Sequence, residues 1–363
     1  MSNRVMVFHH PLPIKANASS ASQIRPFKIR QAFIDLGFQV LDVTGYSKER
    51  AQAIRKIKQE TQKGLKIDFL YSEFSTSPLA TNDPHNLPLR PFMDYSFFKW
   101  FQQHHGKVGV FYRDVHWAFP FYKKSLSPLK FQVALGLYKY DLHQLRDIDQ
   151  LFVPSQAMIN YLPKELVDKK PTVSPPGTQP LVVPRRDHQQ KLLYAGGLGG
   201  SIYDVNELLH SISQHQDFDL TLLVRKYDWE NLVRVDDFQK PNNLHLSFKN
   251  SEESAEEFLR SDFFAMMIEP NEYFNMAMPM KLFDAISFEL PLFCRKGSES
   301  ARFIETHQIG WAVESTEAMV QLLKSEGFVD AANRCRDNLK RIKEQNTWVQ
   351  RAQTITDKLS FNS

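Results

Sequence analysis

Lys281 and Asp284 stand three residues apart in Ala277-Met278-Pro279-Met280-Lys281-Leu282-Phe283-Asp284-Ala285-Ile286-Ser287-Phe288-Glu289-Leu290-Pro291-Leu292, which reads as a short helix running into a buried strand. Pro279 suits a first helical turn, where its missing N–H costs nothing. At that spacing the cation and the carboxylate share a face, while Leu282, Phe283 and Ile286 form an apolar seam that docks the helix on a sheet. A helix N-terminus and a lysine both favour an anion, and a carboxylate one turn on accepts hydrogen bonds from a ribose diol. This is how a sugar nucleotide is gripped; the bland alternative is a surface ion pair worth a few tenths of a kcal/mol.

Other candidates sit where strands end. Gly196, Gly197, Gly199 and Gly200 follow the apolar run Leu192 to Ala195 and precede a helix patterned by Val205, Leu208, Leu209 and Ile212. Glycines in such a turn let backbone N–H groups approach a diphosphate or a sugar, although they also serve a plain tight turn. Arg225 and Lys226 immediately follow the strand Leu220 to Val224, where fixed cations suit a departing diphosphate. Glu269, Glu272 and Tyr273 follow the strand Phe263 to Ile268, and Tyr273 or Phe274 could stack on a base or a sugar ring. Arg113, Asp114 and His116 follow the strand Val108 to Tyr112; Asp114 and His116 could orient or deprotonate an acceptor hydroxyl, and Arg113 could meet a phosphate.

These groups need a scaffold that brings strand ends together. Short apolar runs alternate with helical patterns twice along the chain, the signature of doubly wound α/β units with ligands at the carboxyl ends of parallel strands. The first set comprises Arg4 to His9, Phe38 to Val43, Ile67 to Tyr71, Val108 to Tyr112 and Gln150 to Val153, with a helix from about Ser22 that stops at Gly37. The second set, Leu192 to Ala195 through Gly310 to Val313, begins after the linker-like stretch Pro171 to Gln190. A polar helical tail runs from about Val329 to Leu359.

The stretch around Lys281 resembles the bacterial glycosyltransferases of family 4, two-domain GT-B proteins that often carry Ala-Met-Pro-x-Lys-Leu-Phe-Glu followed by Gly-x-Pro-Val. The resemblance places Asp284 at the second, ribose-binding Glu of the family's E-x7-E motif. Met276 stands where the first Glu would be, so that residue's role is not carried over, and Glu269 and Glu272 are candidates to replace it. Glu289 stands in place of the usual Gly. The resemblance also implies that the glycine-rich loop opens the donor domain and that Arg225, Lys226 and Lys281 neutralise the leaving diphosphate. The loop Pro11 to Ser22, with Asn17 and Ser19, and Arg25 at the following helix start resemble the acceptor side.

Several other chemistries lack support. In a G-x-G-x-x-G frame starting at Gly197 the third glycine falls on Ile202, and no Walker A, H-E-x-x-H or G-x-S-x-G sequence occurs. Asp147-Ile148-Asp149 and Asp217-Phe218-Asp219 precede strands rather than follow them, the wrong end for a metal holding a diphosphate. No apolar run approaches the roughly 18 residues of a membrane span. Residues 1–184 hold 24 Lys and Arg against 14 Asp and Glu, a balance of +10, and residues 185–363 hold 21 against 27, a balance of −6. A basic half with aromatics interleaved could face anionic lipid or nucleic acid, or be merely solvated.

The reading that follows is an α/β, GT-B protein with two Rossmann-like domains: 1–184 for the acceptor, 185–340 for the nucleotide sugar, and 341–363 as a helix packing back across both. The expected activity is that of a cytoplasmic, metal-independent, retaining glycosyltransferase, a hexosyltransferase in surface polysaccharide synthesis. It would use a nucleoside-diphosphate sugar and a saccharide or lipid-linked acceptor, with no cofactor and no nucleic-acid partner. Peripheral contact with the inner face of the cell membrane is a further expectation. The alternatives are an inverting or furanosyl-type GT-B transferase, or a non-enzymatic protein that binds nucleic acid or membrane.

Overall fold

The computed structural model describes residues 4–16, 21–184, 190–200, 202–236, 238–249 and 253–360. Apolar runs buried on both faces become parallel strands, as such runs must when helices cover both sides of a sheet. The first set gives β1 (Val5–His10), β2 (Gln39–Thr44), β3 (Phe69–Glu73), β4 (Val108–Phe111), β5 (Gln150–Val153) and β6 (Thr172–Val173). The second gives β7 (Lys191–Ala195), β8 (Asp219–Leu223), β9 (Leu244–Ser247), β10 (Phe263–Met266), β11 (Leu292–Arg295) and β12 (Gly310–Val313). The sheets run β2-β1-β3-β4-β5-β6 and β12-β11-β10-β7-β8-β9, and every pairing is parallel.

Residues 1–175 and 348–363 form one compact unit and residues 176–347 the other. In each sheet the strand order reverses beside the first strand of its set, at β1 and at β7. The crevice beyond the carboxyl ends there is where open α/β sheets take their ligands.

An aromatic core holds the first sheet: Phe33 lies 5.6 to 6.5 Å, ring to ring, from Phe8, Phe38, Phe69 and Tyr71. The helix Ala21–Asp35 that carries Phe33 ends at Gly37, whose φ of +84° lets its N–H reach the Ile34 carbonyl at 2.8 Å. In the second unit the helix Met280–Ser287 buries Leu282, Phe283 and Ile286, the seam read from the sequence.

Two elements depart from the sequence reading. The two-residue strand β6 carries too little pattern to be seen. The polar tail is two helices, Phe328–Gln345 and Trp348–Leu359, because Thr347 bridges to Thr178 and the Asn346 carbonyl accepts the Thr178 N–H at 2.8 Å. The first of these helices belongs to the second unit and the second to the first. There the buried Leu359 side chain fills the space that a Cβ on Gly109 of β4 would need, 2.7 Å from it. Cys294 and Cys335 are both buried free thiols, pushed up by burial to about 12 and about 11.

Candidate functional site

The carboxyl edge of the second sheet gathers four strand ends. Beyond β7, Gly199 and Gly200 adopt φ of +82° and +68°, which side chains resist, and the Gly199 N–H bonds to the Tyr203 carbonyl at 2.9 Å. The Tyr203 ring lies against Gly197, where an added Cβ would sit 2.6 Å from a ring carbon, and the Tyr194 hydroxyl donates to the Gly197 carbonyl at 2.5 Å. The turn is thus pinned from both sides, and its glycines put no side chain over the backbone.

The loop beyond β10 is tied to this turn. The Glu269 N–H donates to the Asp204 carbonyl at 2.7 Å, and the Asn271 amide donates to the Ile202 carbonyl at 3.1 Å. Asn271 also caps the short helix Glu272–Asn275 by accepting the Phe274 N–H at 2.8 Å. Glu272 is exposed there and Tyr273 half-buried. Burial, then the nearby Asp204 charge, pushes the Glu269 carboxyl above its ordinary value.

Arg295 ends β11 and reaches two carboxylates, pairing with Glu207 and lying 3.4 Å from Glu269. Glu207 in turn accepts the Thr316 N–H at 2.8 Å. This guanidinium holds two acidic groups beside the glycine-rich turn, so the edge is not purely anionic. Beyond β8, Arg225 donates to Asp228 at 2.8 Å and Lys226 lies 3.7 Å from Glu230. Both side chains are largely exposed, so their charged heads are open to an anion from solvent. Lys281 and Asp284 do share a face, 2.9 Å apart and each 28% exposed, with the ammonium 5.6 Å from the Phe258 ring centroid.

In the first unit the groups after β4 fold into a tight knot. Asp114 accepts the His116 N–H at 3.0 Å, and its other oxygen lies 3.7 Å from His116 Nδ1. Tyr138 donates its hydroxyl proton to the Thr76 carbonyl at 2.9 Å, so its 3.3 Å contact with His116 Nε2 requires that nitrogen to carry the hydrogen. His116 Nδ1, facing Asp114, is then the atom that takes up a proton. Burial lowers the His116 pKa, partly offset by the Asp114 charge. Arg113 is half-buried beside this knot and its charge reaches His10.

Arg25 turns inward. Its guanidinium donates to both Glu73 oxygens at 3.1 Å, to the Pro175 carbonyl and to Ser174, and lies 3.6 Å over the Phe111 ring. Asn17 and Ser19 lie outside the described residues.

Two histidines that the sequence reading passed over stand at the end of β1. His9 Nδ1 meets Ser72 at 2.7 Å and its Nε2 meets Asp94 at 3.1 Å, while Arg50 chelates Asp94 through Nε at 3.0 Å and Nη2 at 2.8 Å. These are the residue types of a nucleophilic triad. Ser72 and His9 are fully buried, however, so the constellation pins β1 to β3 rather than facing a substrate. His10 donates from Nδ1 to the Glu73 carbonyl at 2.7 Å, which leaves Nε2 as a proton acceptor.

No family model matches this chain, and no curated protein matches it significantly. Solved structures do. A glycosyltransferase from Rickettsia africae superposes with a TM-score of 0.62 at 12% identity, covering 98% of both chains. Anabaena Alr3699/HepE, in complex with UDP-glucose, gives 0.60 at 10% identity over 97% of this chain and 98% of that one. WaaG, a glycosyltransferase of lipopolysaccharide biosynthesis, gives 0.56 at 13% identity over 97% and 98%. The fold is GT-B.

Within this GT-B chain, Arg295 and Glu207 escaped the sequence reading although Arg295 ends its strand and Arg225 lies just beyond another. Their meeting depends on the approach of β11 to the helix Asn206–Gln214, which no local pattern encodes. Among the described residues no group of three or more His, Cys, Asp or Glu is arranged to hold a metal ion. Of the D-x-D residues, Asp149 accepts the Val108 N–H at 2.8 Å and Asp217 pairs with Lys324 at 2.9 Å. Among the described residues no helix is long and apolar enough to cross a membrane.

Proposed function

We propose that this protein is a family-4-like glycosyltransferase that moves a hexosyl group from a nucleoside-diphosphate sugar to a saccharide or lipid-linked acceptor, with retention of configuration and no metal. The observation that carries the reading is the pinned glycine-rich turn, free of side chains, at the switch point of the second sheet, beside Glu269 and Arg295. Residues 176–347 are the donor unit in this reading. The side-chain-free turn lets the diphosphate approach, Arg225, Lys226 and Lys281 offset its charge as it departs, and Asp284 accepts from the ribose diol. The Anabaena neighbour's UDP-glucose makes uridine donors the first to try.

The first unit is the acceptor side, with His116 and Asp114 orienting the attacking hydroxyl. An inverting reading is favoured to the extent that His116 Nδ1 can take a proton, since inversion needs a base. The anomeric form of the product, read by NMR, separates the two.

Calorimetry across nucleoside diphosphates with the wild type and Asp284→Asn tests the donor site. Loss of a charged hydrogen bond to ribose should weaken binding by roughly 1.5 to 3 kcal/mol. The melting temperature should barely move, because a surface pair is worth about 0.3 to 0.5 kcal/mol. Unchanged affinity in the folded variant removes Asp284 from the site. Transfer should persist in excess EDTA; loss restored by Mn²⁺ would reinstate a metal.

A further inference from the structure

We propose that the second unit binds a neutral oligosaccharide in a cavity at the amino edge of its sheet, the edge opposite the glycine-rich turn. The proposal does not depend on glycosyl transfer, since binding there needs neither a donor nor a reaction. The cavity, about 590 Å³, opens where the helix Glu299–His307 ends, β12 begins and the helix Phe328–Gln345 passes. Two side chains fix that last helix against the strand starts. The Asn338 amide donates to the Gln308 carbonyl at 3.0 Å, just before β12, and Arg336 donates to the Asp262 carbonyl at 3.2 Å, just before β10. Gly310 lets β12 approach β11 from its first residue, because a Cβ there would collide with the Leu292 backbone, and the pairing sets Trp311 beside Phe293.

Trp311 lines the cavity and is half-buried. Its ring lies 4.9 Å from Phe293 at an interplanar angle of 24°, and 4.9 Å from Phe328. Those rings hold the indole in place, and among the described residues its N–H has no hydrogen-bond partner. Glu305, Gln308, Arg334, Asp337 and Asn338 stand around it. Among the described residues Glu305 and Arg334 form no ion pair, so a carboxylate and a guanidinium fork remain available, and the Gln308 amide both donates and accepts. Charge selects the class of ligand. Glu305 offsets Arg334, and Asp337 pairs with Lys340 at 3.1 Å, so the lining favours neither an anion nor a cation. A rigid aromatic surface among side chains that donate and accept suits a pyranose, which shows C–H groups on its faces and hydroxyls around its rim. The volume falls in the roughly 300 to 1,000 Å³ range of small-ligand cavities. Cys335 also lines the cavity, but burial pushes its thiol up to about 11, so it stays protonated at neutral pH and serves as a reporter rather than a nucleophile.

Calorimetry and saturation-transfer NMR with maltohexaose and cellohexaose test the assignment. A neutral hexasaccharide should bind, with little change as salt rises, and should bind more tightly than an acidic oligogalacturonate. Saturating UDP should leave its affinity unchanged. Glu305→Ala with Arg334→Ala should weaken binding about tenfold through the lost hydrogen bonds. Both side chains are exposed, so this variant should keep the wild-type circular dichroism and melting temperature. Trp311→Phe, which keeps a ring beside Phe293, should abolish the change in tryptophan fluorescence that the sugar produces. Bound sugar should slow alkylation of Cys335 severalfold, read by peptide mass, and leave that of Cys294 unchanged. Undiminished binding in the folded double variant, displacement by UDP, tighter binding of the acidic sugar, or no binding of either hexasaccharide would overturn the proposal.

Discussion

Glu289 holds a backbone conformation that side chains resist, with φ at +54°. Its carboxylate lies 2.6 Å from the ammonium of Lys343, a nearly buried lysine that also donates to the Leu181 carbonyl at 2.5 Å. Substituting glycine would relieve left-handed strain of about 1 to 2 kcal/mol. It would also strip a buried cation of its carboxylate, at a cost of about 3 to 5 kcal/mol. Glu289→Gly should therefore destabilise the chain, read as a lower urea midpoint; a higher midpoint would mean the ion pair contributes little. His10 makes a second residue-scale prediction. Burial holds its pKa down to about 3, so between pH 3 and 6.5 the unfolded chain binds a proton that the folded chain refuses. Stability then rises with pH across that window and falls on acidification, by up to about 1.4 kcal/mol per pH unit. His9 is lowered by burial and acts in the same direction. Asp94, which burial pushes up but His9 and Arg50 hold down to about 2, stays ionised and contributes its own loss only below about pH 4. Urea unfolding at pH 5, 6 and 7 should show this slope, and His10→Phe should flatten it.

At the scale of elements, the glycine-rich turn is shaped by one ring. Gly197→Ala would force its Cβ against Tyr203, moving the ring or the turn, so overpacking should cost about 1 to 3 kcal/mol. Donor affinity should fall with it, and adding Tyr203→Ala should recover stability if the clash is the cause; no change in either quantity would mean the turn yields freely. The turn was legible in the sequence because strand, glycines and helix follow one another. So were most strands, since parallel sheets write themselves as apolar runs, and their ends moved by only one or two residues. What stayed hidden were pairings between distant elements. Arg25 reads as a polar residue at a helix start, yet it is buried against Glu73, 48 positions away. Glu207 and Arg295 are 88 positions apart. The break between the last two helices comes from Thr178, far from the tail it interrupts.

For the whole molecule, the doubled alternation of strand and helix carried enough information to give the architecture, although identities to the solved structures reported above are only 10 to 13%. Burial pattern survives where residue identity does not. If the donor belongs to residues 176–347, a nucleoside diphosphate at 100 times its Kd should add about 2.7 kcal/mol to that unit's stability. In a calorimetric scan one transition should then rise while the other stays. A shift of both together would place the ligand's contacts outside one unit.

The return of the helix Trp348–Leu359 to the first unit also sets an order of events during synthesis. Residues 176–347 are contiguous, so the second unit has all its parts as soon as Thr347 is made. The first unit, begun earlier, must wait: β4 leaves the Gly109 face uncovered until Leu359 arrives. The nascent chain thus carries an unfinished amino-terminal sheet beside a finishable carboxy-terminal one, the reverse of the usual amino-to-carboxyl sequence of domain folding. Its period of greatest exposure to chaperones and proteases falls after Thr347 is made, while the helix Trp348–Leu359 is still being delivered.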